Sequence, residues 1–204
     1  MLKDVLLWLV SSILISQLSQ IVLSIYLKKT NRLVLTIDAL FFDSIILSVG
    51  LILLIIRGIS YQYFFDLLVV GALLIIYRFD NFTLMIPNLL SLLILILGIM
   101  KMIMTRSFDL FNTAMSVIFL VSGVLLNLYY RKKKGTEAMG YGDLKLIFVY
   151  ALYMSVLHAS IALFIACICA IFVEIIVKKR SRKMFPFGPY LAIGMIIGLF
   201  LKFI

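Results

Sequence analysis

The sequence predicts an all-α, polytopic membrane protein with about eight transmembrane helices. Of its 204 residues, 65% are hydrophobic, and the mean hydropathy is +1.22. A soluble domain of this length carries about 45–50% apolar residues. The apolar residues also form runs that are long enough for membrane helices, which need about 17–25 residues. The polar residues are too few to cover this apolar surface, so a soluble globular domain is excluded.

Eight apolar segments follow one another along the chain. They are residues 4–27, 37–56, 62–79, 87–104, 109–130, 144–157, 159–177 and 187–203. The first segment is too long for a signal peptide and lacks a small-residue cleavage site, so we expect it to remain as a helix. The sixth is short, so the sixth and seventh can also be drawn with other limits. The loops are too short to hold a separate folded domain.

The basic residues predict the orientation of the chain. Fourteen of the 19 Lys and Arg lie on the side formed by the loops after segments 1, 3, 5 and 7, and five lie on the other side. Because Lys and Arg concentrate in cytoplasmic loops, both termini are predicted outside. The net charge of +10 then reflects anchoring of the runs 131–134 and 178–183 at anionic headgroups of the lipid bilayer. Nucleic acid is not a predicted partner.

Acidic residues in membrane helices each require a physical reason, since burying an Asp at a helix centre costs about 2.5–3.5 kcal/mol. Five of the nine have a local explanation at a helix end or in a loop: Asp4, Asp38, Asp109, Glu137 and Glu174. Asp43 and Asp66 fall inside the second and third segments, where we expect polar contacts between helices. Asp80 ends the third segment and Asp143 begins the sixth. The charge distribution puts both at the cytoplasmic surface.

The residues around Asp80 and Asp143 indicate a shaped site. Asp143 follows Gly140 and Gly142, and glycine permits a backbone with positive φ or the close approach of another backbone. Pro87 suits the first turn of the helix after Asp80. Two neighbouring carboxyls cannot easily both ionise, so they share a proton and can perform aspartyl-protease chemistry. By spacing alone, two structural aspartates at helix ends remain an equal alternative.

Three motifs resemble those of the type 4 prepilin peptidases. The segment GTEAMGYGDLKL is similar to the family's glycine–x–glycine–aspartate motif, with Lys145 two residues after Asp143. FDNFTLMIPNLL resembles the second acidic motif, in which Asp80 is followed by Pro87 and Asn88. FPFGPYLAIG, residues 185–194, is similar to the segment that opens the last helix. The three motifs occur in the family's order, and the resemblance covers the chain from about residue 60.

The resemblance implies a single membrane aspartyl peptidase domain over residues 1–204, with reduced N-terminal helices in 1–60 and a peptidase core in 61–204. The implied reaction is removal of the basic leader from prepilins or pseudopilins at the cytoplasmic face of the cell membrane. Asp80 and Asp143 match the catalytic aspartates. The implied substrate-binding or loop-shaping residues are Gly140, Gly142, Lys145, Pro87 and Asn88. No cofactor and no metal are implied, and no oligomeric state is predicted.

One departure from the family concerns its methyltransferase activity. Many members carry two Cys-x-x-Cys pairs in the loop between the first two helices. Here that loop reads KKTNRLVLT, and the chain has only Cys167 and Cys169. We therefore expect peptidase activity alone, or methylation by an unrecognised route. Compact members occur in Gram-positive competence systems, so the resemblance suggests a competence pseudopilin as substrate.

Two other functions stay open at this level. The first is a glycine–x–glycine–aspartate protease of the presenilin type, which cuts within transmembrane segments. The Ile-Pro-Asn and Pro-Phe-Gly-Pro segments argue against this type. The second is a small ion-coupled transporter, for which membrane carboxylates serve as ion sites. The surface position of Asp80 and Asp143 argues against a transporter. His158 is predicted at the opposite surface, about 30 Å away, and is expected to be interfacial.

Overall fold

The computed structural model describes residues 7–17, 21, 37–58, 60–106, 108–173 and 186–201, and these form helices and short connections without a strand. In chain order the helices are α1 (Leu7–Gln17), α2 (Ile37–Arg57), α3 (Tyr61–Thr83), α4 (Asn88–Thr105), α5 (Leu110–Lys134), α6 (Tyr141–Tyr153), α7 (Val156–Ala170) and α8 (Gly188–Leu201). Of these, α3, α4, α5 and α7 (with the turn to Val173) are long and apolar enough to cross a membrane. The predicted all-α membrane class is confirmed.

The helix limits differ from prediction chiefly at α6. This helix begins at Tyr141 rather than at residue 144, and it ends at Tyr153 rather than at residue 157. The helix is interrupted at Met154. Ser155 is the N-terminal cap of α7, and its hydroxyl accepts a hydrogen bond from the His158 N–H at 3.4 Å. No Pro or Gly marks this break, so the apolar pattern runs through it. The predicted cytoplasmic segments 28–36 and 178–183 lie outside the described residues.

The chain divides into two compact units, with residues 1–75 in the first and residues 76–202 in the second. In the first unit, small residues allow the helices to approach closely. A Cβ at Gly50 of α2 would lie 2.9 Å from Ser12 Oγ and 3.2 Å from a Leu67 methyl, and a Cβ at Gly71 would lie 2.9 Å from Ile15. Asp66 is fully buried in this unit. The interhelical role predicted for it stays a prediction, and the Asp43 side chain lies outside the described atoms.

In the second unit, α6 is the central helix and packs against α4, α5, α7 and α8. Seven of its 13 residues are buried: Leu144, Leu146, Ile147, Val149, Tyr150, Ala151 and Tyr153. Buried tyrosine hydroxyls need a partner, and the Tyr150 hydroxyl donates to the Met195 carbonyl of α8 at 2.6 Å. The buried side chains of α6 are thus spread around the helix rather than confined to one face, because other helices pack against it on several sides.

The C-terminal end of α6 is held by polar side chains from α4 and α5. The Asn112 amide donates to the Ala151 carbonyl at 3.3 Å, and its oxygen accepts from the Val156 N–H at 2.8 Å. Lys101 donates to the Tyr153 carbonyl at 3.2 Å and lies 3.8 Å from the centre of the Tyr153 ring. Carbonyls at a helix end have no partner within the helix. These side chains supply the missing donors inside the bundle.

Small residues bring α7 and α8 into backbone contact. Ala159, Ala162 and Ala166 of α7 are buried, and a Cβ at Gly194 of α8 would overlap the Ala162 carbonyl oxygen. Such small-residue contacts are a common way for membrane helices to gain van der Waals packing. The position of α8 therefore depends on glycine at residue 194.

We predict that Gly194→Ala destabilises the protein although alanine favours a helix more than glycine does. The added Cβ meets a backbone atom that cannot rotate away, so overpacking should cost about 1–3 kcal/mol. The measurement is thermal unfolding of the detergent-solubilised protein. Ile193→Ala is the control, since Ile193 on the same helix is 38% exposed and should change stability little. A Gly194→Ala protein at least as stable as the wild type would contradict the close packing of α7 and α8.

Candidate active site

Asp80 lies in the last turn of α3 and is only 5% exposed. Its Oδ2 accepts a hydrogen bond of 2.9 Å from the backbone N–H of Gly188, the first residue of α8. The first N–H groups of a helix have no partner within it, and the helix dipole favours an anion there. The start of α8 therefore supplies a hydrogen-bond donor to the Asp80 carboxyl.

Glycine is required at residue 188 by the position of the Asp80 side chain. A Cβ at Gly188 would lie 2.8 Å from Asp80 Oδ2 and 2.9 Å from its Cγ. Any other residue would push the carboxyl away from the N–H group to which it bonds. Gly188 of the Pro-Phe-Gly-Pro segment thus lies directly against the Asp80 carboxyl.

Asp143 lies in the first turn of α6, three residues after the N-terminal cap Gly140. Its carboxyl folds back over the cap. A Cβ added at Gly140 would lie only 2.9 Å from Asp143 Oδ2. An acidic residue at this position is favoured by the helix dipole and commonly reaches back towards the cap. Gly140 does not use the positive φ that glycine permits, since its φ is −61°. Glycine is needed here to leave space for the carboxyl of Asp143 itself.

The two carboxyls are close enough to affect one another. Burial, together with the negative charge of Asp80, raises the pKa of the Asp143 carboxyl from its usual value to about 7. Asp143 therefore retains a proton into the neutral range, and Asp80 accepts a hydrogen bond from the Gly188 N–H. Two acids in these surroundings can hold a single proton between them.

The loop between α3 and α4 lies against the Asp143 segment. A Cβ at Gly142 would lie 3.2 Å from Ile86 Cβ, so the glycine allows this loop to approach α6. The loop begins at Leu84, which has φ +55° and whose N–H donates to the Asp80 carbonyl at 3.0 Å. Pro87 is the N-terminal cap of α4, one position before the first turn in which it was predicted. The loop that starts after Asp80 thus ends beside Asp143.

Lys145 and Asn88 meet at the exposed side of this arrangement. The Lys145 ammonium donates to the Asn88 side-chain oxygen at 3.4 Å, and both residues are exposed. The bond joins the start of α4 to the start of α6. Within the part of the chain that the structure describes, no ion pair joins Lys145 to either carboxylate. The contact of Lys145 with Asn88 therefore joins the motif that contains Asp143 to the motif that contains Asp80.

Asn127 is a site residue that the sequence reasoning missed. It lies in α5, is fully buried, and forms two hydrogen bonds with the backbone of Met139, just before Gly140. Its amide donates to the Met139 carbonyl at 2.7 Å, and its oxygen accepts from the Met139 N–H at 2.9 Å. The available signal was a single amide in the apolar run VLLNLYY. Its partner could not be read from that run.

Metal-binding side chains do not cluster in the described ranges. Within these ranges no three His, Cys, Asp or Glu residues come together in a way that could hold a metal ion. Cys167 and Cys169 lie on α7 as free thiols. The Nδ1 atom of His158 lies 2.6 Å from the Ser155 hydroxyl at the start of α7, where α6 has already ended.

Comparison with known proteins gives a consistent family. The sequence model of the type IV leader peptidase family matches residues 67–175, just over half of the chain, and this range includes both aspartates. A prepilin leader peptidase/N-methyltransferase of Pectobacterium carotovorum subsp. carotovorum is 29% identical over 148 residues, covering 67% of this chain and 50% of the relative. A protein of the same name from Dichelobacter nodosus is 35% identical over 115 residues, covering 54% and 39%.

The chain spans half or less of the length of these two relatives. No solved structure matches it significantly. The family match nevertheless covers the region in which the third to seventh helices and both aspartates lie. The chain belongs to the type IV leader peptidase family.

Proposed function

We propose that this protein is a membrane aspartyl endopeptidase that removes the basic leader from type 4 prepilins or pseudopilins at the cytoplasmic face of the cell membrane. The observation that carries the proposal is the pairing of two acids, in which burial and then the charge of Asp80 raise the pKa of Asp143 to about 7. Family membership supports a peptidase, and the names of the two relatives support a prepilin as substrate class. The distribution of Lys and Arg supports the cytoplasmic orientation.

In this mechanism the two acids act on one water molecule and one peptide bond. Ionised Asp80 accepts a proton from the water, whose oxygen attacks the carbonyl carbon, while protonated Asp143 donates its proton to the carbonyl oxygen. Collapse of the tetrahedral intermediate breaks the C–N bond, and the proton taken up by Asp80 passes to the leaving amine. Asp143 regains its proton from a hydroxyl group of the gem-diol intermediate as the carbonyl of the new carboxyl group forms. This assignment of the two roles is part of the proposal and rests on the hydrogen bond that the Gly188 N–H donates to Asp80.

The remaining motif residues shape the access to this pair. Gly142 allows Ile86 to lie against α6, and Lys145 binds Asn88 across the two motifs. We propose that Lys145 and Asn88 form part of the surface on which the substrate backbone lies, and that the buried Pro87 shapes the loop beneath it. Peptidase activity alone is proposed for this chain, since its N-terminal loop lacks the Cys-x-x-Cys pairs.

The first prediction concerns the aspartates themselves. Asp80→Asn and Asp143→Asn should each lower cleavage of a co-expressed prepilin or pseudopilin by about a hundredfold or more, since each removes a proton-transfer group. The measurement is the loss of leader mass from the substrate. Asp109→Asn is the matched control, because Asp109 caps α5 by accepting the Asn112 N–H at 3.1 Å and is exposed.

Normal cleavage by both Asn variants would overturn the proposal. Mapping the cut site separates the two protease types that the sequence left open. A cut between a basic leader and the following apolar segment supports a prepilin peptidase, and a cut inside a transmembrane segment supports the presenilin type. Ion flux into liposomes without any cleavage would support a transporter.

The second prediction concerns pH. Because Asp143 must carry a proton to act as the acid, cleavage should decline as pH rises through about 7. The raised pKa also means that the folded protein binds this proton more tightly than the unfolded chain does. The contribution of protonated Asp143 to the stability of the folded protein is therefore complete below about pH 4 and is lost as pH rises to about 7.

These two effects can be measured on purified protein in detergent. The cleavage rate between pH 5 and 9 should show an alkaline limb near 7. The melting temperature of the wild type, compared with that of Asp143→Asn, should fall between pH 4 and 7 and level off above. A rate that keeps rising to pH 9 would be incompatible with Asp143 as the acid.

The third prediction concerns the donor to Asp80. In Gly188→Ala the new Cβ would lie 2.8 Å from Asp80 Oδ2, so the carboxyl must move. We expect kcat to fall about tenfold or more with little change in KM, since misplacement of a reacting group by about 1 Å can cost a hundredfold. Gly98→Ala is the control, because its Cβ would meet its nearest neighbour, the Tyr153 backbone, at an ordinary 3.4 Å. Equal kcat values for the two variants would show that Asp80 does not depend on Gly188.

A further inference from the structure

We propose that Asn127 is a positioning residue, which fixes the start of α6 through the backbone of Met139 and thereby the place of the Asp143 carboxyl. The inference rests on the proposed function, because it assigns a role in the same reaction. Asn127 would touch neither the substrate nor the reacting atoms. Its effect would be transmitted through the three residues that separate Met139 from Asp143.

The burial of Asn127 requires a reason. The side chain is fully buried, although most of α5 is exposed on the unit, and the other buried residue of this helix is Ser116. Burying an amide without hydrogen bonds costs about 1–3 kcal/mol by mutational measurement. Asn127 avoids this cost by using its donor and its acceptor on one residue, Met139. The pairing therefore holds a defined backbone geometry at that residue.

Met139, which Asn127 binds, is followed directly by the cap and first turn of α6, which carries Asp143. The two bonds fix both the N–H and the carbonyl of Met139, much as a neighbouring strand would. The next residue, Gly140, is the cap of α6, and its carbonyl accepts the Leu144 N–H at 3.1 Å. The Asp143 carboxyl folds back against Gly140. A shift of Met139 would move the cap, and the carboxyl would lose its place beside Asp80.

The chain provides an internal control for this inference. Asn112 lies on the same helix 15 residues earlier, roughly 22 Å along its axis. It forms the same kind of double contact, donating to the Ala151 carbonyl and accepting the Val156 N–H. Asn112 thus binds the end of α6 that is remote from the acids, and Asn127 binds the near end. Their substitution removes the same chemistry from opposite ends of one helix.

The experiment compares Asn127→Leu with Asn112→Leu in the full-length protein. Leucine is larger than asparagine but branches at the same carbon and suits a membrane helix, so both variants should insert. We expect similar losses of thermal stability. Only Asn127→Leu should lower kcat for leader cleavage about tenfold or more with KM within about twofold, and only this variant should move the alkaline limb of the pH profile. Asn127→Ala should show the same split between kcat and KM.

Two outcomes would overturn the inference. The first is an equal effect of the two Leu variants on kcat and on the alkaline limb, since Asn127 would then be structural in the same sense as Asn112. The second is a loss that appears only in KM. A failure of the proposed function has a different signature, namely normal cleavage by Asp80→Asn and Asp143→Asn. If those variants are inactive and the two Leu variants match each other, only the role of Asn127 is lost.

Discussion

The short central helix α6 imposes the constraint on which the rest of the second unit depends. Its 13 residues rise roughly 20 Å, whereas the hydrocarbon core measures about 30 Å. Its unpaired backbone groups therefore need partners within the protein, since lipid offers none. Asn112 and Lys101 supply them at the C-terminal end, and Asn127 holds the residue before the N-terminal cap. The longer helices α4 and α5 thus carry the polar groups that α6 needs.

Glycine shapes the acid site through space rather than through unusual backbone angles. Gly140 leaves room for the Asp143 carboxyl, and Gly188 leaves room for that of Asp80. Gly142 admits Ile86 from the loop that follows Asp80. In each case a Cβ would come within 3.2 Å of the atom concerned, and none of these three glycines has a positive φ. The glycine–x–glycine pattern thus specifies a helix start that is crowded by its own acid and by a neighbouring loop.

Sequence reasoning predicted the order and approximate limits of the helices, because long apolar runs bounded by charged residues are local signals. It also singled out Asp80 and Asp143, since carboxylates are costly near a membrane. It did not find the break at Met154, because Ser155 caps α7 without any Pro or Gly. Nor could it find Asn127 or the donor role of Gly188, whose partners lie 12 and 108 residues away. Such contacts arise only when the helices pack, and a single sequence carries no local sign of them.

The different surroundings of the two acids give a physical reason for unequal roles. Asp80 is buried and accepts a hydrogen bond from the backbone N–H at the start of α8. Asp143 is partly buried and feels the charge of Asp80, which favours its protonated form. Each acid is positioned by a different helix start, Asp80 by that of α8 and Asp143 by that of α6. In the proposed mechanism, a proton shared by the two acids would therefore depend on how α6 and α8 are placed within this unit. The contact between α6 and α8, where the Tyr150 hydroxyl donates to the Met195 carbonyl, would be part of what sets the acid–base balance.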